Sequence, residues 1–150
     1  MQINLVPIFA MLMIIFMGMY FFFHPSYQKS IQAKYYYEIG DYKEALSLAK
    51  ESFNEDKYNR MSSTVMAQSI ISLKYVEYIN EAKKYLDDIN DIAIHEYISD
   101  ADKAKIRLMC EIMLGSYTKL ASSVITDKEL VNNAAKFHAK FESLLEKVHR

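Results

Sequence analysis

At 150 residues the chain has room for one modest domain, and too little for two independent cores once an apolar segment is set aside. Its 18 basic and 19 acidic side chains leave a net charge of -1, which provides no basic field and sets nucleic acid aside as a partner. The single cysteine, Cys110, excludes an intrachain disulfide, and its flanks Leu108, Met109, Ile112 and Met113 predict a buried thiol.

The charges are unevenly spread, for none occurs before Lys29. From Ile3 to Phe23 the only strongly polar side chain is Asn4, and a helix over this run spans about 32 Å, close to the roughly 30 Å hydrocarbon core of a bilayer. The run therefore predicts a transmembrane anchor over residues 1–25, with lipid contact through residues 3–23. A cleavable signal peptide needs a basic start and a small-residue cleavage site; here nothing basic precedes the run, and His24-Pro25-Ser26-Tyr27 follows it. Lys29 and Lys34 just after the span place the rest of the chain in the cytoplasm by the positive-inside rule. Gly18 has no glycine partner one turn away, so no GxxxG helix-pairing motif exists.

Residues 26–150 contain no proline after Pro25, and their apolar spacing is helical. Ala33, Tyr36, Tyr37 and Ile39 form one face, Gly40-Asp41 a break, and Tyr42, Ala45, Leu46, Ala49 and Phe53 a second face. Asp41 and Glu44 have the spacing of a capping box. A second hairpin is predicted from Met61, Val65, Met66, Ile70 and Leu73 followed by Ile79, Ala82, Tyr85, Leu86 and Ile89. A third starts after Ser99-Asp100-Ala101-Asp102, runs through Ile106, Met109, Ile112 and Met113, turns at Gly115, resumes at Tyr117 and ends near Ile125. Thr126 and Glu129 then open a last amphipathic helix carrying Leu130, Ala134, Phe137, Phe141, Leu144, Leu145 and Val148, predicted to cap the array.

The segment from Ala33 to Asn59, AKYYYEIGDYKEALSLAKESFNEDKYN, resembles a tetratricopeptide repeat (TPR), a unit of about 34 residues that packs two antiparallel helices. Ala33 matches the small residue of the first helix, Tyr36 the following large one, Gly40-Asp41-Tyr42 the turn, Ala45 the small contact residue of the second helix and Ser52 the last small position. Small residues there let helices approach closely while bulky ones fill the space between repeats. Ala67 falls one repeat length after Ala33, whereas Ala82, in Asn80-Glu81-Ala82, falls about one helical turn late. The resemblance implies an all-α fold: a transmembrane helix followed by a TPR-like array of helical hairpins. It also implies a concave protein-binding face lined by first helices, here Lys34, Tyr37, Gln68, Ile71, Lys105, Met109 and Met113. The chain is similar in size and layout to small anchored TPR proteins that serve bacterial inner-membrane machines as scaffolds or assembly chaperones, including chaperones of flagellar stator units. The implied partner is an integral membrane protein or its cytoplasmic segment, with self-association left open.

Catalytic equipment is absent from the sequence. His24, His95, His138 and His149 are scattered, and His95-Glu96 is not continued to a second histidine in the metalloprotease spacing. His138 and Glu142 lack a third ligand, the three glycines are isolated, and the acidic residues lack the calcium-loop pattern. No metal or cofactor is expected and no enzyme activity. The competing reading is a permanent subunit of a membrane complex, whose anchor packs against other helices; an enzyme with an unrecognised site is the weakest of the three.

Overall fold

The computed structural model describes residues 5–95, 97–121 and 126–149, and all regular structure among them is helical. In chain order the helices are α1 (Leu5–Phe23), α2 (Pro25–Glu38), α3 (Tyr42–Glu55), α4 (Arg60–Ala93), α5 (Asp100–Tyr117) and α6 (Lys128–His149). Ile3 and Asn4 of the expected anchor, Glu96, and Ile125 at the expected end of the third hairpin lie outside the described residues. Two compact units are present, one ending at Ser69 and the other beginning at Ile70.

Helix α1 carries no charge, and none of its described side chains is buried: Val6 is 79% exposed and Phe16 68%. Among the described residues no single helix is long and apolar enough to cross a membrane. Only the pair Val6–Tyr20 and Pro25–Glu38 reaches the required length and composition together, with 70° between its halves. Proline chemistry sets this bend. Pro25 is suited to the first turn of α2 but biases the preceding residue away from helical angles, and His24 is extended at φ -79° and ψ 117°.

In the first unit α2 and α3 form an antiparallel hairpin. Gly40, at φ 84°, takes the left-handed conformation that glycine adopts without steric cost. Its N–H donates to the Tyr37 carbonyl at 3.1 Å and the Asp41 N–H to that of Tyr36 at 2.9 Å, the paired bonds of a Schellman stop. The Asp41 carboxylate accepts from the Glu44 N–H at 3.1 Å. The Asp41 N–H is already spent on Tyr36, so only half of the expected capping box forms. Ala33, Ala45, Ala49 and Val65 make the apolar core, with Tyr36, Tyr37, Leu48 and Met66 packed against it. Tyr42 is also buried, whereas Ala67, expected to pack, is exposed.

Beside this core lies a polar one. Ser26, Ser30, Ser52, Asn59 and Ser62 are each at most 2% exposed. Ser26 Oγ donates to the Ser52 carbonyl at 3.0 Å, and Ser52 Oγ donates back to that of Ser26 at 2.6 Å. Ser52 Oγ also meets Ser62 Oγ. Asn59 joins three segments: its Nδ2 donates to Ser26 Oγ at 3.0 Å and Ser30 Oγ at 3.2 Å. Its Oδ1 accepts from the N–H groups of Met61 at 3.1 Å and Ser62 at 3.3 Å, capping α4. Burying hydroxyls and an amide is tolerable here because the groups satisfy one another.

The second unit is built on Tyr75, Tyr78, Ile79, Ala82 and Ile89 of α4, Ile106, Met109, Cys110 and Met113 of α5, and Ala134 and Phe141 of α6. Cys110 is fully buried, and burial pushes its thiol up, with Glu111 adding to the shift. The start of α5 is fixed by a capping box in which Ser99 Oγ accepts from the Asp102 N–H at 3.1 Å and Asp102 accepts from the Ser99 N–H at 3.2 Å.

Three expectations from sequence are corrected. The second hairpin does not form, because α4 is one helix of 34 residues through Leu73, Asn80 and Ile89. No glycine or proline interrupts that stretch, and Asn80 costs a helix well under about 1 kcal/mol, less than leaving two further sets of orphan end groups. The third hairpin does not turn at Gly115, which α5 passes through before stopping at Thr118; the Thr118 hydroxyl donates to the Gly115 carbonyl at 2.8 Å. At the start of α6 the side chain that accepts from the Glu129 N–H, at 2.8 Å, is Asp127, one residue after the expected Thr126.

The Tyr78 hydroxyl is buried with no hydrogen-bond partner among the described residues. Burial pushes its phenol up to about 12, with Tyr117 adding to the shift. The folded chain thus holds this proton more tightly than the unfolded chain does. The resulting stability is complete below the ordinary phenol value of about 10 and is lost as pH rises through about 12. Thermal unfolding of the detergent-solubilised chain is expected to show a steeper alkaline loss for wild type than for Tyr78→Phe. The variant should also gain about 1 kcal/mol at neutral pH by removing an unsatisfied hydroxyl.

Candidate protein-binding surface

The residues expected to line a concave face have different fates. In the first unit Lys34 and Gln68 do line one cleft, of about 360 Å³, together with Glu38 of α2 and Arg60, Met61, Thr64 and Val65 of α4. Tyr37 is half-buried, packed on the apolar core with its ring 5.3 Å from that of Tyr42. In the second unit Lys105 is exposed, Ile71 is half-buried against the core, and Met109 and Met113 lie within it. Those methionines have no face left for a partner. Of the repeat-packing set, Ala33, Tyr42, Ala45, Ser52 and Ala82 are buried, Tyr36 is half-buried and Gly40 makes its turn.

The cleft is polar at its rim and apolar at its floor, where Val65 is 3% exposed. Lys34 and Arg60 stand at its edge, and among the described residues neither has a carboxylate within ion-pair distance. Lys29 behaves differently, for its ammonium lies 2.7 Å from Glu55 and 3.1 Å from Glu51, and these bonds raise its pKa above the ordinary lysine value. Two cations against the one carboxylate of Glu38 leave the cleft with a single positive excess beside an apolar floor, which suits an acidic protein segment with a hydrophobic side chain. Arg60, Thr64 and Glu38 were not legible as site residues, although Arg60, Thr64 and Gln68 recur every four residues and so share one stripe of α4.

Among the described residues no group of three His, Cys, Asp or Glu side chains gathers to hold a metal ion. His138 Nδ1 lies 3.5 Å from Glu142 along α6, and the ring of Tyr117 stacks on that histidine at 4.2 Å. No protein-family description matches the chain, and no curated protein and no solved structure shows significant similarity to it.

Proposed function

We propose that the chain is a membrane-tethered protein-binding module, a scaffold or assembly chaperone for a membrane complex, with α1 in the bilayer and the remaining helices on its cytoplasmic side. In this reading the α2–α3 hairpin and the start of α4 act as a TPR-like unit, and the Lys34/Arg60 cleft receives the partner. The observation that carries it is α1, whose described apolar side chains, from Val6 to Tyr20 and at Phe22 and Phe23, are unburied on every side. Each such side chain left in water forgoes about 1.5–3 kcal/mol, a cost that lipid removes. The uncharged sequence also extends back beyond Leu5, lengthening the segment available for a span. Tethering raises the local concentration of the cleft near membrane proteins, which favours weak contacts.

Two measurements test this reading. Crosslinking in membranes followed by affinity recovery should yield a partner that the double variant Lys34→Glu with Arg60→Glu loses by about 30-fold, as for a central charged contact worth about 2 kcal/mol. Both side chains are exposed, so thermal unfolding should barely change. Equal recovery in a folded variant would remove the cleft from consideration. For orientation, Tyr58 is 92% exposed, and Tyr58→Cys should resist an impermeant thiol label applied to intact cells and react after lysis. Labelling before lysis would reverse the topology.

A further inference from the structure

We infer that α2 is an interfacial helix, lying along the membrane surface with Ile31, Tyr35 and Ile39 set into the lipid headgroup region. This inference rests on the anchor reading of α1. The face of α2 formed by Ser26, Ser30 and Ala33 is fully buried in the first unit. The opposite face carries Gln28, Ile31, Gln32, Tyr35 and the C-cap residue Ile39, none of them charged. Ile31 is 61% exposed, Tyr35 62% and Ile39 58%, and their four-residue spacing aligns them in one stripe.

Geometry selects lipid as the occupant of this stripe. With 70° between the two helices, an α1 standing along the membrane normal leaves α2 about 20° from the membrane plane. The side on which α1 leaves is also fixed: Gln28, a member of the uncharged face, donates from Nε2 to the Phe22 carbonyl at 2.7 Å. His24 adds a ring contact to Tyr20 on α1 and another to Tyr27 on α2, each at 5.6 Å. The apolar stripe and α1 therefore face the same side, with the serine face turned away toward α3. Charges keep to the margins. Lys34 and Glu38 stand at one edge, and Lys29, held by Glu51 and Glu55, at the other. Such a helix sits about 5–10 Å into the boundary between headgroups and acyl chains, a depth suited to isoleucine and to the polar tip of tyrosine. A second spanning segment is excluded for α2, since its other face is committed to protein packing.

The chain contains no tryptophan, so single-tryptophan variants read position without background. Full-length Phe16→Trp, Tyr35→Trp and Tyr58→Trp would be reconstituted into vesicles of phosphatidylcholine and phosphatidylglycerol containing brominated acyl chains. Tyr35→Trp is expected to lose most of its emission when the bromines lie near the headgroups, Phe16→Trp when they lie deep, and Tyr58→Trp in neither case. Ile31→Trp, one turn from Tyr35, should repeat the Tyr35 result and guards against a local perturbation. Quenching at Phe16 with none at Tyr35 or Ile31 overturns the interfacial helix and leaves the anchor standing. Iodide sensitivity at Tyr35 would then show the stripe in water, and protection from both quenchers a protein cover. Absence of bromolipid quenching at all three α1 and α2 positions overturns the anchor and this inference together.

Discussion

Replacing Asn59 by alanine is expected to destabilise the first unit by about 3 kcal/mol, far more than its short side chain suggests. About 1 kcal/mol comes from uncapping α4, because Asn59 Oδ1 accepts from the Met61 and Ser62 N–H groups. The rest comes from the amide donors, which hold Ser26 Oγ and Ser30 Oγ where water cannot replace them; bonds lost in a buried network cost about 1–3 kcal/mol. Asn59→Asp keeps the cap acceptor but removes both donors, and should fall between wild type and alanine at neutral pH only if the serine hydroxyls turn to donate to it. Thermal unfolding of the detergent-solubilised chain, with hydrogen exchange at the start of α4, measures both. A loss below about 0.5 kcal/mol for alanine would show that the network contributes no more than an exposed surface site.

That network also shows where sequence reasoning stops. Ser52 was legible as a small residue at a helix contact, but its partners come from three separated segments, Ser26 on α2, Asn59 before α4 and Ser62 within it. Nothing local distinguishes a serine that is small from one that is hydrogen-bonded. The α2–α3 hairpin was legible because its determinants are local: a glycine that tolerates positive φ, an aspartate that caps, and alanines at contact spacing. The second hairpin rests on two runs of helical apolar spacing, Met61 to Leu73 and Ile79 to Ile89, with Asn80-Glu81-Ala82 as a late repeat echo; it lacks the glycine that makes the first one turn, and the chain stays helical there. Lys34 and Gln68 were placed on a common face, yet Arg60 was missed because the cleft depends on where α4 begins, which Asn59 decides. Met109 and Met113 satisfy the spacing of a groove and of a core equally well; burial by α4 and α6 side chains decided for the core.

Phe141 carries the largest effect expected in the second unit. From sequence Phe137 and Phe141 look equivalent, one turn apart on the apolar face of α6, and either could serve a partner. The structure separates them. Phe141 is fully buried in the cluster that contains Met113, Cys110 and Ala134, whereas Phe137 is half-buried, with the Lys140 ammonium 5.4 Å above its ring beside an open cleft. Phe141→Ala removes a whole ring from a closed site and should cost about 3–5 kcal/mol, combining lost transfer energy with the cavity left behind. Phe137→Ala leaves a gap that solvent can fill and should cost about half as much or less. Hydrogen exchange of the full chain in detergent resolves the two by place as well as size, since Phe141→Ala should strip protection from α5 and α6 amides. Equal losses for the two variants would mean that α6 packs through both rings alike, and Phe137 would then lose its standing as the less buried aromatic of the pair.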